Sequence, residues 1–116
     1  MAISSGESVV RSFFAAMNAQ DAEAATALAR ADVTIVLGPE QLAGHEALRA
    51  LALQTDDQLT SEWVPDRLSS EGAERVDVEA LRIQRWRTSG EVASQDEVHV
   101  RFALDGAGAI ARIEIG

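Results

Sequence analysis

The chain has 116 residues, 47% of them hydrophobic, which suits a single domain able to bury a core without disulfide staples. It has no cysteine, which excludes disulfides, thiolate metal sites, iron–sulfur ligation and a cysteine nucleophile. Nineteen acidic against ten basic residues give a net charge of −9, and aromatics make up 4%, a balance that repels phosphate backbones and anionic lipid and leaves little to stack on bases.

No nucleic-acid partner is therefore expected. The acids are scattered along the chain and read as a solubilising surface. The opening residues, Met-Ala-Ile-Ser-Ser-Gly-Glu, lack the basic segment and apolar run of a secretory signal. No stretch approaches the roughly 18 consecutive apolar residues of a membrane span, so the expectation is a cytoplasmic protein with no membrane partner.

Val9, Val10, Phe13, Phe14 and Met17 form the apolar stripe of an amphipathic helix over about Ser5 to Ala19. An alanine-rich helix follows from about Asp21 to Arg30, with Asp21 and Glu23 at its positive end. Asp32 to Leu37, with its β-branched run Val33, Thr34, Ile35, Val36, reads as a strand stopped by Gly38-Pro39. From Gly44 a short third helix carries Ala47, Leu48, Leu51 and Ala52 on one side and fades near Asp56-Asp57, acids that suit a helix end poorly.

After about Leu59 the period becomes alternating, and strands are expected at about 60–70, 74–87, 94–105 and 109–115. Asp96, Val98, Val100, Phe102 and Leu104 share one parity against Glu97, His99, Arg101 and Ala103, which makes the even positions the buried face. Asp105 to Gly108 supplies the turn into a last strand in which Ala109, Ala111, Ile113 and Ile115 oppose Arg112 and Glu114.

Several fragments imitate motifs without their context. Gly106 to Ala111 matches the dinucleotide pattern G-x-G-x-x-A, but too little chain remains for the helix that must follow it, so it reads as a hairpin turn. His45-Glu46 begins the zinc helix H-E-x-x-H, with Arg49 in the place of the second ligand, and His99 lies on the outward parity of its strand. No metal site is expected. With no G-x-S-x-G elbow and no histidine on the expected pocket face, a serine nucleophile lacks its base.

The order of elements, with VVRSFFAAMNAQDAEAATAL at the start, GHEALRAL opening the third helix and EVHVRFALDGAGAIARIEI closing the chain, resembles the nuclear transport factor 2-like superfamily, with ketosteroid isomerases and SnoaL-type polyketide cyclases as its nearest-looking members. The resemblance covers residues 1–116 as a single domain. It implies an α+β fold, a cystatin-like cone with three N-terminal helices packed on a curved, mainly antiparallel sheet, and a pocket open at one end. It also implies a homodimer formed through the outer sheet face, where Ala103, Ile110 and the tryptophans are expected to offer a patch.

The isomerase chemistry does not carry over. It needs a tyrosine on the first helix, a protonated aspartic acid on the penultimate strand and an aspartate base on the first strand. The corresponding positions here are Phe13, Val98 and Leu37, all apolar.

Asp96, the next inward position after Val98, is the candidate catalytic residue: against apolar walls a carboxylate could act as general acid or base, whereas at a strand end in water it would not. Arg82, Gln84 and Trp86 share a parity with Val76, Val78 and Ala80, and line the pocket unless a bulge near Ala80-Leu81 switches faces. Trp63 and Trp86 are read as core or interface fillers or as ligand platforms, and only one of Glu62 and Trp63 can look inward. Met17 reads first as core, and with Phe13, Leu37 and Val98 it completes the apolar part of the candidate ligand-binding set.

Two function classes stay open. One is a pocket protein for an apolar small molecule, which either binds without strong catalysis or performs isomerisation, dehydration or cyclisation with Asp96. The other is a dimeric interaction module whose pocket is filled. Neither implies a cofactor.

Overall fold

In the computed structural model, which describes residues 5–53, 58–72 and 74–116, the aromatic stripe of the first helix meets the sheet head-on. Helix α1 (Ser5–Asn18) buries Val10, Phe13, Phe14 and Met17. Phe13 and Phe14 stand edge-on to Phe102, with ring centroids 5.5 and 5.7 Å away, the geometry aromatic quadrupoles prefer.

The junction after α1 is tight because Gln20 takes a left-handed conformation (φ 54°). Asp21 N–H then reaches back to Ala16 O (2.9 Å) and Gln20 N–H to Met17 O (3.1 Å), a Schellman closure. Asp21 also caps α2 (Ala22–Ala27), its side chain accepting from Ala24 N–H. That helix is shorter than the expected Asp21 to Arg30. Ala29 and Arg30 belong instead to β1 (Ala29–Leu37), where Ile110 N–H bonds Leu28 O at 2.9 Å and Ala29 pairs with Ile110. Long-range strand pairing overrides local helix propensity there.

Gly38-Pro39 makes a two-residue hairpin, Gly38 at φ 57°, so that β2 (Glu40–Ala43) folds back on β1. Four exposed residues without β-branching carry no alternating signal, and the sequence reading stops at the turn. Helix α3 (His45–Leu53) follows, and Asp56 and Asp57, its expected fading end, lie outside the described residues.

Strands β3 (Leu59–Glu71), β4 (Arg75–Trp86), β5 (Val92–Leu104) and β6 (Ile110–Ile115) complete one six-stranded sheet in the order β2-β1-β6-β5-β4-β3. Among the described residues only the β1–β6 pairing is parallel. The fold is thus mixed α+β, with three helices and six strands among the described residues. Among the described residues no helix is long and apolar enough to cross a membrane.

Two irregularities decide which side chains face the helices. β4 pairs with β5 in continuous register from Arg75 to Gln84, so its faces never switch. The bulge falls on edge strand β3, where the register slips between Pro65 and Arg67 and Asp66 is extra. At the other end a register shift between Ala103 and Leu104 turns Ile110 inward, fully buried. Ile110 therefore offers nothing to the outer surface, and neither does Trp63, which is 5% exposed on the helix side.

Candidate functional site

Between α3 and the ends of β3 and β4 lies a groove of about 350 Å³. Ala47, Ala50 and Leu51 of α3 form one wall, Leu37 of β1 and Leu42 of β2 the back, and Leu59, Ser61 and Trp63 of β3 with Arg82 and Gln84 of β4 the other wall. The lining is mostly apolar with a few polar groups on one side, the usual make-up of a small-molecule site.

The wall carried by α3 is fixed at its start. Gly44 (φ 91°) donates to Val33 O at 2.8 Å and accepts from Leu48 N–H, a backbone position that suits only glycine. His45 Nε2 lies 3.0 Å from Ala29 O, and since a carbonyl can only accept, Nε2 carries the proton. His45 is a tether between helix and strand, and the described residues hold no cluster of metal-ligating side chains.

The opposite wall turns on Trp63 and Arg82, directly opposed on β3 and β4. Trp63 packs on Phe14 (6.4 Å between centroids), and the Arg82 guanidinium sits 5.8 Å from the centre of the indole ring, within cation–π range. Arg82 Nη2 is 3.6 Å from Asp96 Oδ2, and the two residues are cross-strand neighbours. Trp63 Nε1 and Arg82 Nε are both buried with no hydrogen-bond partner among the described residues. Gln84 Oε1 accepts from Ser94 Oγ at 2.9 Å.

The sequence-derived site residues divide. Leu37, Arg82 and Gln84 come together in the groove. Asp96 faces the same side but stands at the rim, its side chain 53% exposed, and does not line the groove. Phe13 and Met17 are each 2% exposed and belong to the solid core, out of reach of a ligand in the groove. Val98 is half-buried, packed against that core, and borders a depression on the other face of the sheet. Trp86 is 43% exposed, because it ends β4 opposite Leu59 beyond the cover of the helices. Glu62 points away from the groove and pairs with Arg85 at 3.8 Å, which leaves Trp63 as the inward member of that pair. Trp63 and the leucines Leu42, Leu51 and Leu59 complete the site; the tryptophan is one of two neighbours between which the sequence leaves the choice open, and the leucines are legible only from the way β2 and α3 pack.

The depression on the outer face is larger, about 570 Å³, and is bordered by Val64, Leu81, His99 and three carboxylates, Asp66, Glu79 and Glu97. Its lining is more polar than that of the groove, and its carboxylates would repel an acid or burden an apolar ligand. The groove is the better ligand site.

No family model and no curated protein matches the sequence. Solved structures do match the fold. A proposed polyketide cyclase of Xanthomonas campestris pv. campestris superposes with a TM-score of 0.83 at 17% identity over 96% of this chain and 88% of that one. A nuclear transport factor 2-like protein of Burkholderia xenovorans gives 0.79 at 21% over 100% and 91%. A Mycobacterium tuberculosis protein in complex with estradiol-17beta-hemisuccinate gives 0.81 at 16% over 97% and 93%. At such identities the likeness establishes the fold, which is nuclear transport factor 2-like, and is silent about chemistry.

Proposed function

We propose that this nuclear transport factor 2-like chain binds an apolar small molecule in the groove between α3 and the β3–β4 hairpin, without strong catalysis. The observation that carries this reading is the groove itself: about 350 Å³, walled by leucines, alanines and Trp63, with Arg82 and Gln84 the long polar side chains on one side. The steroid conjugate held by the Mycobacterium tuberculosis relative in fold is consistent with it. The sheet is read as a cystatin-like cone whose floor is filled by Phe13, Phe14, Met17 and Phe102, so that the ligand lies at the mouth. The same proposal has the protein in the cytoplasm and as a homodimer through the sheet face away from the helices.

A catalytic reading, isomerase, dehydratase or cyclase with Asp96 as general acid or base, draws support from the position of Asp96 beside Arg82. Its exposure and its place outside the groove lining count against it, because a general acid or base must lie within hydrogen-bond reach of the substrate it serves. The filled floor favours the interaction-module reading to the extent that the groove fails to bind anything.

Thermal shift against steroids, fatty acids and aromatic polyketides tests the proposal. A ligand present at a hundredfold excess over its dissociation constant stabilises the fold by about 2.7 kcal/mol. A flat response to every class overturns ligand binding and leaves the interaction module.

A further inference from the structure

The polar wall of the groove offers donors. Trp63 Nε1 can only donate, and it is buried without an acceptor in a side chain that is 5% exposed. Arg82 can only donate, its Nε is likewise unpartnered, and its contact with Asp96 is a long 3.6 Å to a half-exposed carboxylate. The carbonyl oxygen of Gln84 is already engaged by Ser94, which leaves the amide nitrogen as the group it can offer a ligand.

We infer that the groove selects amphiphilic acids: a carboxylate taken up by Arg82, Trp63 Nε1 and Gln84, on an apolar body that lies against Leu37, Leu42 and Leu51. The inference rests on the ligand-binding reading above and narrows it to a substrate class. A buried donor without an acceptor is a standing cost, and a ligand that supplies the acceptor removes it. A carboxylate presents two oxygens that match the guanidinium fork, which a ketone or an ester does not. Trp63 and Arg82 are directly opposed, and Gln84 lies two residues further along the same face of β4, about 6.6 Å in rise, a span that long side chains close.

As the side chains stand, both orphan nitrogens are covered, so the acid reaches them by shifting the Arg82 side chain. The Asp96 contact is long enough to yield, and Asp96, once released, stays at the rim in water. The net charge of −9 repels an anion at a distance, but screening over about 8 Å at physiological salt leaves the nearest cation, Arg82, to decide. The volume of about 350 Å³ sits near the lower end of ligand sites and suits a small bicyclic body.

The test pairs 2-naphthylacetate with its neutral methyl ester and measures both by titration calorimetry at pH 7.5. The acid should bind at least tenfold more tightly than the ester, and its affinity should fall with rising salt while that of the ester does not. Arg82→Met, which keeps the aliphatic stem, should abolish the preference for the acid over the ester. Trp63→Phe should weaken the acid severalfold. Equal binding of acid and ester by the unaltered protein overturns the inference and leaves the ligand-binding reading intact. Binding of neither probe, together with a flat thermal-shift panel, overturns both. The wild-type comparison and its salt dependence decide the matter even where a variant does not fold.

Discussion

Asn18 at the end of α1 and Trp63 on β3 are joined by two hydrogen bonds of 2.7 Å, the side-chain amide of Asn18 donating to Trp63 O and accepting from Trp63 N–H. β3 is an edge strand, and these are the backbone groups that it turns away from β4. Asn18 thus does for one residue what a further strand would do, blunting the edge while it fixes the position of the Trp63 ring.

Asn18→Ala should therefore cost about 1–3 kcal/mol, since it leaves a backbone donor and acceptor at a partly buried site without their partner. Urea unfolding measures the loss. In a Trp86→Phe background the emission of Trp63 should also shift to the red as the ring loosens. Unchanged stability and emission would show that water replaces Asn18 at no cost.

Acid should loosen the turn between β5 and β6. Asp105 accepts from Ala109 and Ala107 N–H, both at 2.9 Å, and lies 3.4 Å from Arg30, and its carboxyl is held below the usual 3.8 first by the Ala109 hydrogen bond, with desolvation opposing. A folded-state value below the unfolded one means stability that is present above about pH 4 and is lost as pH falls through the folded value. Asp32 and Glu114, each lowered first by an arginine hydrogen bond, act in the same direction. Asp105→Asn should flatten the dependence of unfolding stability on pH between about 5 and 3. A variant as steep as the parent would place the acid sensitivity elsewhere.

The sheet face away from the helices should pair two copies. Its apolar content is Val64, 39% exposed, with half-buried Leu81 and Ile83, in place of the Ile110 and Trp63 that the sequence had nominated. An isologous contact there accounts for apolar side chains on an otherwise charged surface. Sedimentation at micromolar concentration should give about twice the chain mass, and Leu81→Glu should give the monomer. A parent protein that sediments as a monomer across that range removes the claim.

Conversion of a β,γ-unsaturated ketosteroid to its conjugated isomer should be absent. The reaction needs a base for the α-proton and donors for the enolate, and loss of one such donor costs about a hundred- to a thousandfold. Phe13 and Val98 donate nothing, Leu37 accepts nothing, and Phe13 is sealed between Phe14 and Phe102. An absorbance assay with an Asp96→Asn control decides it. Rapid turnover would mean that these positions are misaligned with those of the isomerases.

The alternation of Val98, Val100, Phe102 and Leu104 and the spacing of Phe13, Phe14 and Met17 were legible in the sequence, because each depends on the period of a single element. The parity of β4 set Arg82 and Gln84 beside Val76 and Val78 provided no bulge fell near Ala80-Leu81, and left open which of Glu62 and Trp63 looks inward; the unbroken β4–β5 register and the pairing of Trp63 with Arg82 decided both. The resemblance in element order anticipated the fold that the structural likeness establishes.

What the sequence left undecided depends on pairs of elements. The shortened α2 follows from the pairing of Ala29 with Ile110, 81 residues apart in number, which no local window contains. The burial of Phe13 and Met17 follows from the edge-on packing of Phe14 and Phe102 where helix and sheet meet. β2 lacks an alternating pattern and exists because a glycine-proline turn returns it to β1. The groove comes into being only where α3, β1 and the β3–β4 hairpin approach one another, and the two orphan donors in its wall are a property of that packing: any sequence can place a tryptophan and an arginine, but only the tertiary structure decides whether an acceptor lies beside them.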